Sequence, residues 1–363
     1  MSFQKNAWYV AAWSQAVTAD KPFARVVLGE SVVLFRDGDG RAVALANRCP
    51  HRFAPLDAGV LRDGVIACPY HGLRFDASGA CVHNPHGDGN IPTQARLRRY
   101  PVQERYSAIW IWTGDPALAE TVDLPEFPFL DPAEYEICTG YLETRAHYQL
   151  SADNLLDLSH FQYLHPDTLG STSMKASPVS FAQRGDTVWS MRTIEHEIPN
   201  EFVAQAFSVP PGVAVDRWLN VRWDPPGLIA IDTGVALAGA PRATGRTALS
   251  AHLLTPQSEA STHYFFAFGL PKSMGDAAKT LVEYAIDGLM QPFVNEDLPI
   301  LEAQQAALGD NDFWAMRPVM LNIDGAAIRA RRVIERKLAE EAHAEPLQGR
   351  KSIPLVSLAH TAT

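Results

Sequence analysis

Two short segments in the N-terminal third constrain this chain more than anything else in it. Cys49-Pro50-His51 and Cys68-Pro69-Tyr70-His71 form the pattern C-x-H, sixteen residues, C-x2-H. Thiolates and imidazoles bind metals, and a Cys-Pro-(x)-His run suits a tight loop at the end of a hairpin. Two such loops facing each other could hold a zinc ion in a tetrahedral site. They could equally hold a [2Fe–2S] cluster in which two histidines replace two cysteines on one iron. Either occupant requires a small β structure that brings two hairpin ends together. The flanking residues read that way: RVVLGESVVLFRD, AVALANR and RLRRYPVQERYSAIWIW are strand-like, with turns at Asp37-Gly38-Asp39-Gly40 and Ser78-Gly79.

A second stretch, Asp153 to His165, reads DNLLDLSHFQYLH. It gathers Asn154, Asp157, His160 and His165 on an apolar background, and at 100° per residue all four can share one broad helical face. Five residues is a poor spacing for two ligands on a regular helix. Pro166 follows, however, and a residue before proline is pushed out of the α region, so His165 is expected at the helix end, free to turn inward. By its own chemistry Asp157 would be the third ligand of a site with His160 and His165.

The segments CPHRFAPLDAG and CPYHGLRFDASG resemble the two cluster loops of Rieske proteins. Combined with DNLLDLSHFQYLH, they resemble the oxygenase components of Rieske non-haem iron oxygenases, and in detail those of the O-demethylase type. The resemblance implies an α+β chain: an antiparallel β Rieske domain, then a catalytic domain with an antiparallel sheet flanked by helices in a helix-grip arrangement. The expected boundaries are residues 1–118, residues 119–345 and a loosely held tail over 346–363.

It also implies that Cys49 and Cys68 hold the buried iron of the cluster, and His51 and His71 the outer one. His160 and His165 hold a mononuclear Fe(II), with Asp297 in FVNEDLPILEAQQ as the carboxylate; Glu296 and Glu302 are neighbouring alternatives. Asn154 lies near the iron in such demethylases. Asp157 changes role, from ligand to a bridge between a cluster histidine and an iron histidine across a subunit boundary. That implies a head-to-tail ring, most simply a homotrimer. His252, Asn220 and Asp232 are expected at the substrate pocket, with Trp223 and His263 supporting it. His83 and His86 are expected to order the loop beside the cluster.

The implied reaction uses O2 and reductase-supplied electrons to oxidise a small aromatic substrate, by O-demethylation of a methoxybenzoate such as vanillate, or by oxidation of a ring methyl or N-methyl group. No G-x-G-x-x-G follows a strand, so NAD(P)H must act through a separate flavin and ferredoxin-type reductase. A net charge of -10 argues against nucleic acid. The lack of a long apolar run argues against a membrane span, and with no signal-peptide pattern the expected compartment is the cytoplasm. Cys81 and Cys138 then read as buried apolar groups rather than disulfide partners. The basic run Arg329 to Lys337 reads as a solvated helix face.

Two other classes share some of these features. A Rieske-type electron carrier would need only the first hundred or so residues, and a zinc-stabilised binding protein would use the same cysteines and histidines. Colour separates the zinc protein from the rest: the purified protein should be red-brown with broad visible absorption, and a colourless protein with stoichiometric zinc would overturn the cluster.

Overall fold

The structure is a computed structural model and describes residues 3–344; the tail expected over 346–363 lies outside the described residues. The first eleven strands in chain order are β1 (Trp8–Trp13), β2 (Phe23–Val27), β3 (Glu30–Arg36), β4 (Ala42–Ala46), β5 (Val60–Arg62), β6 (Val65–Ala67), β7 (Arg74–Phe75), β8 (Cys81–His83), β9 (Arg99–Tyr100), β10 (Val102–Arg105) and β11 (Ala108–Trp112). They form three antiparallel sheets, ordered β2-β3-β4-β9, β1-β11-β10 and β5-β6-β7-β8.

The run VVLF in β3 has no polar alternation because both faces of its sheet are covered. Val32 and Leu34 pack toward β1 and β11, while Val33 and Phe35 pack toward the hairpins that carry Cys49 and Cys68.

The rest of the chain is built on a seven-stranded antiparallel sheet of β12 (Tyr135–Thr144), β13 (Val179–Arg184), β14 (Thr187–Glu197), β15 (Val215–Asp224), β16 (Leu228–Leu237), β17 (Arg246–Ser258) and β18 (Ser261–Pro271), ordered β12-β18-β17-β16-β15-β14-β13. Its helices are α1 (Tyr148–Leu156), α2 (Phe161–Leu164), α3 (Glu201–Ala206), α4 (Asp276–Pro292), α5 (Leu298–Leu308) and α6 (Gly325–Ala344). Residues of α1, α4 and α6 cover one face, against Leu219, Val221, Trp223, Tyr264 and Phe266.

The other face packs Leu228, Ala251, Leu253 and Phe265 against a layer containing Trp8, Trp13, Trp110 and Trp112. Hydrogen bonds close this junction: Trp13 Nε1 donates to the Gly140 carbonyl at 2.9 Å, Thr255 Oγ1 to that of Val10 at 2.8 Å, and the Leu28 and Gly29 amides to Pro256 and Gln257 at 2.8 and 2.9 Å. The β-rich first part and the larger antiparallel sheet with helices are thus the α+β architecture expected from the sequence. Among the described residues no helix is long and apolar enough to cross a membrane.

Two expectations need correction. The stretch from Asp153 to His165 is not one helix. It breaks at Asp157 (φ -117°, ψ 89°), whose carboxylate accepts the Ser159 amide at 2.9 Å; a single 3-10 turn then leads into α2. An aspartate that captures a nearby amide competes with helical hydrogen bonding, and here it wins. Nor is the basic run on α6 wholly solvated: Arg331 is buried and ion-paired with Asp153 at 2.6 Å, tying α6 to α1.

Three buried histidines are held neutral. Burial drives His147 down to about 4, with the Arg331 charge adding to the effect. It likewise drives His263 down to about 4 and His252 down to about 3. A depressed folded pKa contributes stability that is complete above the unfolded value of about 6.5 and is lost as pH falls toward the folded value. The thermal midpoint should therefore fall by on the order of 5 °C or more between pH 7 and pH 5, measured by calorimetry. His147→Gln and His263→Gln should each make that slope shallower.

Candidate metal centres

The two Cys-His loops are conformational twins. The Cys49 amide donates to the Ala54 carbonyl and the Cys68 amide to that of Leu73, at 2.9 and 2.8 Å. In return the Phe53 amide donates to Cys49 and the Gly72 amide to Cys68, at 2.9 and 3.1 Å. The fifth residue of each loop, counting its cysteine as the first, therefore sits at positive φ: +74° for Gly72 and +61° for Phe53. Glycine takes this conformation without cost, whereas phenylalanine is strained in it.

Both cysteines are buried, and the rings of His51 and His71 stand 4.5 Å apart between centroids at the outer end. Burial pushes the Cys49 thiol up to about 11, and the Cys68 thiol within hydrogen-bond reach adds to this. Two adjacent buried thiols become thiolates near neutral pH only beside a cation, so the donor set fits a metal group. Among the described residues only His160, His165 and Asp297 bring three ligand atoms within 4.8 Å of one another. The Cys-His quartet is thus more widely spread than one tetrahedral ion requires, and it fits a two-iron cluster. His86 donates from Nε2 to the His71 carbonyl at 2.8 Å, beside the second loop, and His83 is exposed on β8.

The second centre lies on the helix-covered side of the large sheet. His165 caps the C-terminal end of α2 with non-helical angles (φ -119°, ψ 44°), as the following proline dictates. Gly170 folds back so closely that a Cβ there would stand 2.6 Å from the carbonyl oxygens of both His165 and Phe161. Asp297 arrives from a single π-helical turn, Phe293–Asp297, between α4 and α5. The extra residue in that turn, just after Pro292, directs both Glu296 and Asp297 toward His165.

His160 donates from Nδ1 to the Asp157 carbonyl at 2.6 Å, and His165 donates from Nδ1 to the Glu296 carboxylate. Both Nδ1 protons are thereby committed, and each Nε2 is buried without a hydrogen-bond partner. Those two lone pairs face Asp297 Oδ1 at 3.5 and 3.2 Å. Burial opposes ionisation of Asp297, and positive charge on the histidine side outweighs it: protonated imidazoles would hold the carboxyl at about 2, and with the Nδ1 protons committed elsewhere that positive charge falls to a bound cation. Three electron-rich atoms converging without a shared proton suit a bound cation, and two imidazoles with one carboxylate is the donor set of open non-haem iron sites.

Asn154 Nδ2 donates to Asp297 Oδ1 at 3.0 Å, so it supports the carboxylate. Glu302 pairs with Arg145 instead, at 2.7 Å. Asp157 opens with Asn154 and His160 onto a crevice of 480 Å³ also lined by Tyr163, Phe313 and Val319.

The proposed pocket residues separate. Side chains alternate along a strand, and Asn220 and Asp232 pair directly opposite each other on the sheet face away from the helices. Asp232 accepts from Trp218 Nε1 at 2.9 Å and pairs with Arg242. Neither Asn220 nor Asp232 can line a pocket at the iron side, which corrects the expectation. Their neighbours in register, Val221 and Ile231, belong to the helix-covered core together with Trp223. His263 lies at the junction, bonded to the Val26 carbonyl at 2.8 Å.

His252 does face the helices, its ring 5.8 Å from that of Phe293, but both nitrogens are occupied: Nδ1 with Tyr264 and Nε2 with Ser250, each at 2.8 Å. Sequence reasoning missed Glu296 as the partner of His165, although its place beside Asp297 was visible.

Residues 7–101 match the family described as "Rieske [2Fe-2S] domain", and residues 144–340, more than half of the chain, match "Vanillate O-demethylase oxygenase C-terminal domain". The chain belongs to the Rieske non-haem iron oxygenases. Among its relatives are the oxygenase component of chloroacetanilide N-alkylformylase from Rhizorhabdus wittichii, 38% identical over 93% of this chain and 97% of that protein, and the oxygenase component of dicamba O-demethylase from Stenotrophomonas maltophilia, 37% identical over 93% and 98%. Dicamba monooxygenase structures are similar at 36% identity, covering 94% of this chain and 99% of that one. The TM-score is 0.87 for the form bound to 3,6-dichlorosalicylic acid and 0.78 for the form with non-heme iron and dicamba.

This Rieske oxygenase is therefore an enzyme, the oxygenase component of a multicomponent monooxygenase. Gly170→Ala, which must displace the His165 backbone, should lower Fe(II) affinity about 10-fold or more in chelator competition. Unchanged affinity would mean that the loop tolerates the extra carbon.

Proposed function

We propose that this oxygenase removes the methyl group of a small aromatic ether, with methoxybenzoates such as vanillate as the substrate class. The observation that carries the reading is the convergence of His160 Nε2, His165 Nε2 and Asp297 Oδ1 on one point. In the balanced reaction an aryl methyl ether, O2, two electrons and two protons give the phenol, formaldehyde and water. Oxidation of the methyl carbon yields a hemiacetal that collapses to those products.

His160, His165 and Asp297 would hold Fe(II), which when bound supplies oxidation of the methyl group by O2. Cys49, Cys68, His51 and His71 would hold the cluster, and Asn154 keeps the Asp297 carboxylate oriented. The names of the relatives, which describe oxygenase components, support a separate reductase, which would be of the flavin and ferredoxin type and carry electrons from NAD(P)H. The relative named chloroacetanilide N-alkylformylase supports a second reading, an N-alkyl aromatic substrate, with the same oxidation next to a heteroatom.

Asp157 would bridge the two centres in a head-to-tail trimer, its backbone carbonyl holding His160 Nδ1 and its carboxylate, which accepts the Ser159 amide, reaching a cluster histidine of the neighbouring subunit. Apolar exposure on both sides supports this. Phe53 and Tyr70, 68% and 64% exposed, flank the cluster loops, and Tyr163 and Val319, 74% and 84% exposed, rim the crevice at Asp157. The strain at Phe53 is consistent with a side chain kept for contact rather than for the fold.

With a surrogate reductase, NADH and a panel of methoxybenzoates, formaldehyde should appear in equal amount to the phenol. Release from none of them would sink the O-demethylase reading. Asp157→Asn should retain both metals yet lose substrate-dependent O2 uptake by about 100-fold or more, as removal of an electron path would; near-normal turnover would take Asp157 out of that path.

A further inference from the structure

We propose that Glu296 is a positioning residue that decides which nitrogen His165 offers to the metal. The inference rests on the metal site proposed above and goes beyond its three ligands. The Glu296 carboxylate meets Nδ1 of His165, on the opposite side of the ring from Asp297, which faces Nε2 at 3.2 Å. From that side it cannot share the point on which the two Nε2 atoms and Asp297 Oδ1 converge. It can hold the Nδ1 proton, prevent a ring flip that would present Nδ1 instead, and make Nε2 a better donor.

The carboxylate is itself fixed. Thr168 Oγ1 donates to the same oxygen, Oε2, at 3.2 Å. Thr168 sits in the loop behind His165, whose successive carbonyls are all held. Asn200 Nδ2 donates to Thr168 at 2.8 Å and to Gly170 at 3.2 Å, and the buried guanidinium of Arg217 donates to Leu169 at 3.0 Å. Among the described residues no Lys or Arg is ion-paired with Glu296, so its interactions are with His165 and Thr168. The π-helical turn makes this possible by directing two consecutive residues at one imidazole, Asp297 to the ligand face and Glu296 to the back.

The test uses the full-length protein loaded with Co(II) at the mononuclear site, comparing wild type with Glu296→Gln, Glu296→Ala and Asp297→Ala. Coordinated histidines give strongly shifted, solvent-exchangeable N–H signals in proton NMR, and chelator competition gives the affinity. Wild type should show two such signals. Glu296→Ala should lose the slowly exchanging signal of His165 and bind Co(II) about 10- to 100-fold more weakly. Glu296→Gln, whose amide oxygen can still accept the proton, should keep the signal with a smaller loss.

A Glu296→Ala protein that keeps both signals and binds within about two-fold of wild type would overturn the inference, as would loss of a carboxylate from the cobalt coordination shell in that variant. Asp297→Ala separates the two levels of argument. If wild type binds no Co(II), or Asp297→Ala binds it as tightly as wild type, the metal site itself is wrong and Glu296 falls with it.

Discussion

The metal centre proposed for this chain depends on keeping one carboxylate oxygen against two imidazole nitrogens that have no proton to give it. Asp297 Oδ1, His160 Nε2 and His165 Nε2 repel one another unless something positive lies between them. A chain folds into such an arrangement only if the surrounding structure holds it. Here the two sides come from segments more than a hundred residues apart, joined across the helix-covered face of one large sheet. Each donor is held from behind by a separate group: the Asp157 carbonyl for His160, Glu296 for His165 and Asn154 for Asp297.

Three irregularities of the helical segments fall at this place. The helix breaks at Asp157, α2 ends at a pre-proline histidine, and a π-helical turn lies between α4 and α5. Regular helices would separate His160 from His165 and point Glu296 away from the ring that Asp297 faces. Strand pairs elsewhere carry register shifts of their own, at Val10–Ala12, Ile194–Glu197 and Pro256–Ser258, but these three helical departures can be read as the cost of bringing the donors together. The same holds at the other centre, where Phe53 takes a left-handed conformation that its twin loop gives to Gly72.

Much of this was legible in the sequence, for physical reasons. Cysteine, histidine and proline at fixed spacing leave few occupants, so the cluster loops stand out. The pre-proline position of His165 follows from backbone sterics alone. Asp297 lies far from the histidines in sequence and came from resemblance, not from spacing.

What could not be read was the side of the sheet. Asn220 and Asp232 are polar residues in otherwise apolar strands, and nothing in their own segments says which face the helices will cover. The break at Asp157 was hidden too, because an aspartate that leaves a helix and one that stays in it look alike in a sequence. Arg331 was disguised by its basic neighbours, since its partner Asp153 is nearly two hundred residues away.

The junction between the β-rich first part and the large sheet has one more implication. Five of its hydrogen bonds end on main-chain carbonyls, and two of these also begin on main-chain amides. A contact written in backbone atoms persists through wide drift in side chains. The opposite face of the same sheet, where a substrate would approach the iron, is therefore free to diversify without disturbing the frame. Lineages of this architecture can change diet while keeping their wiring.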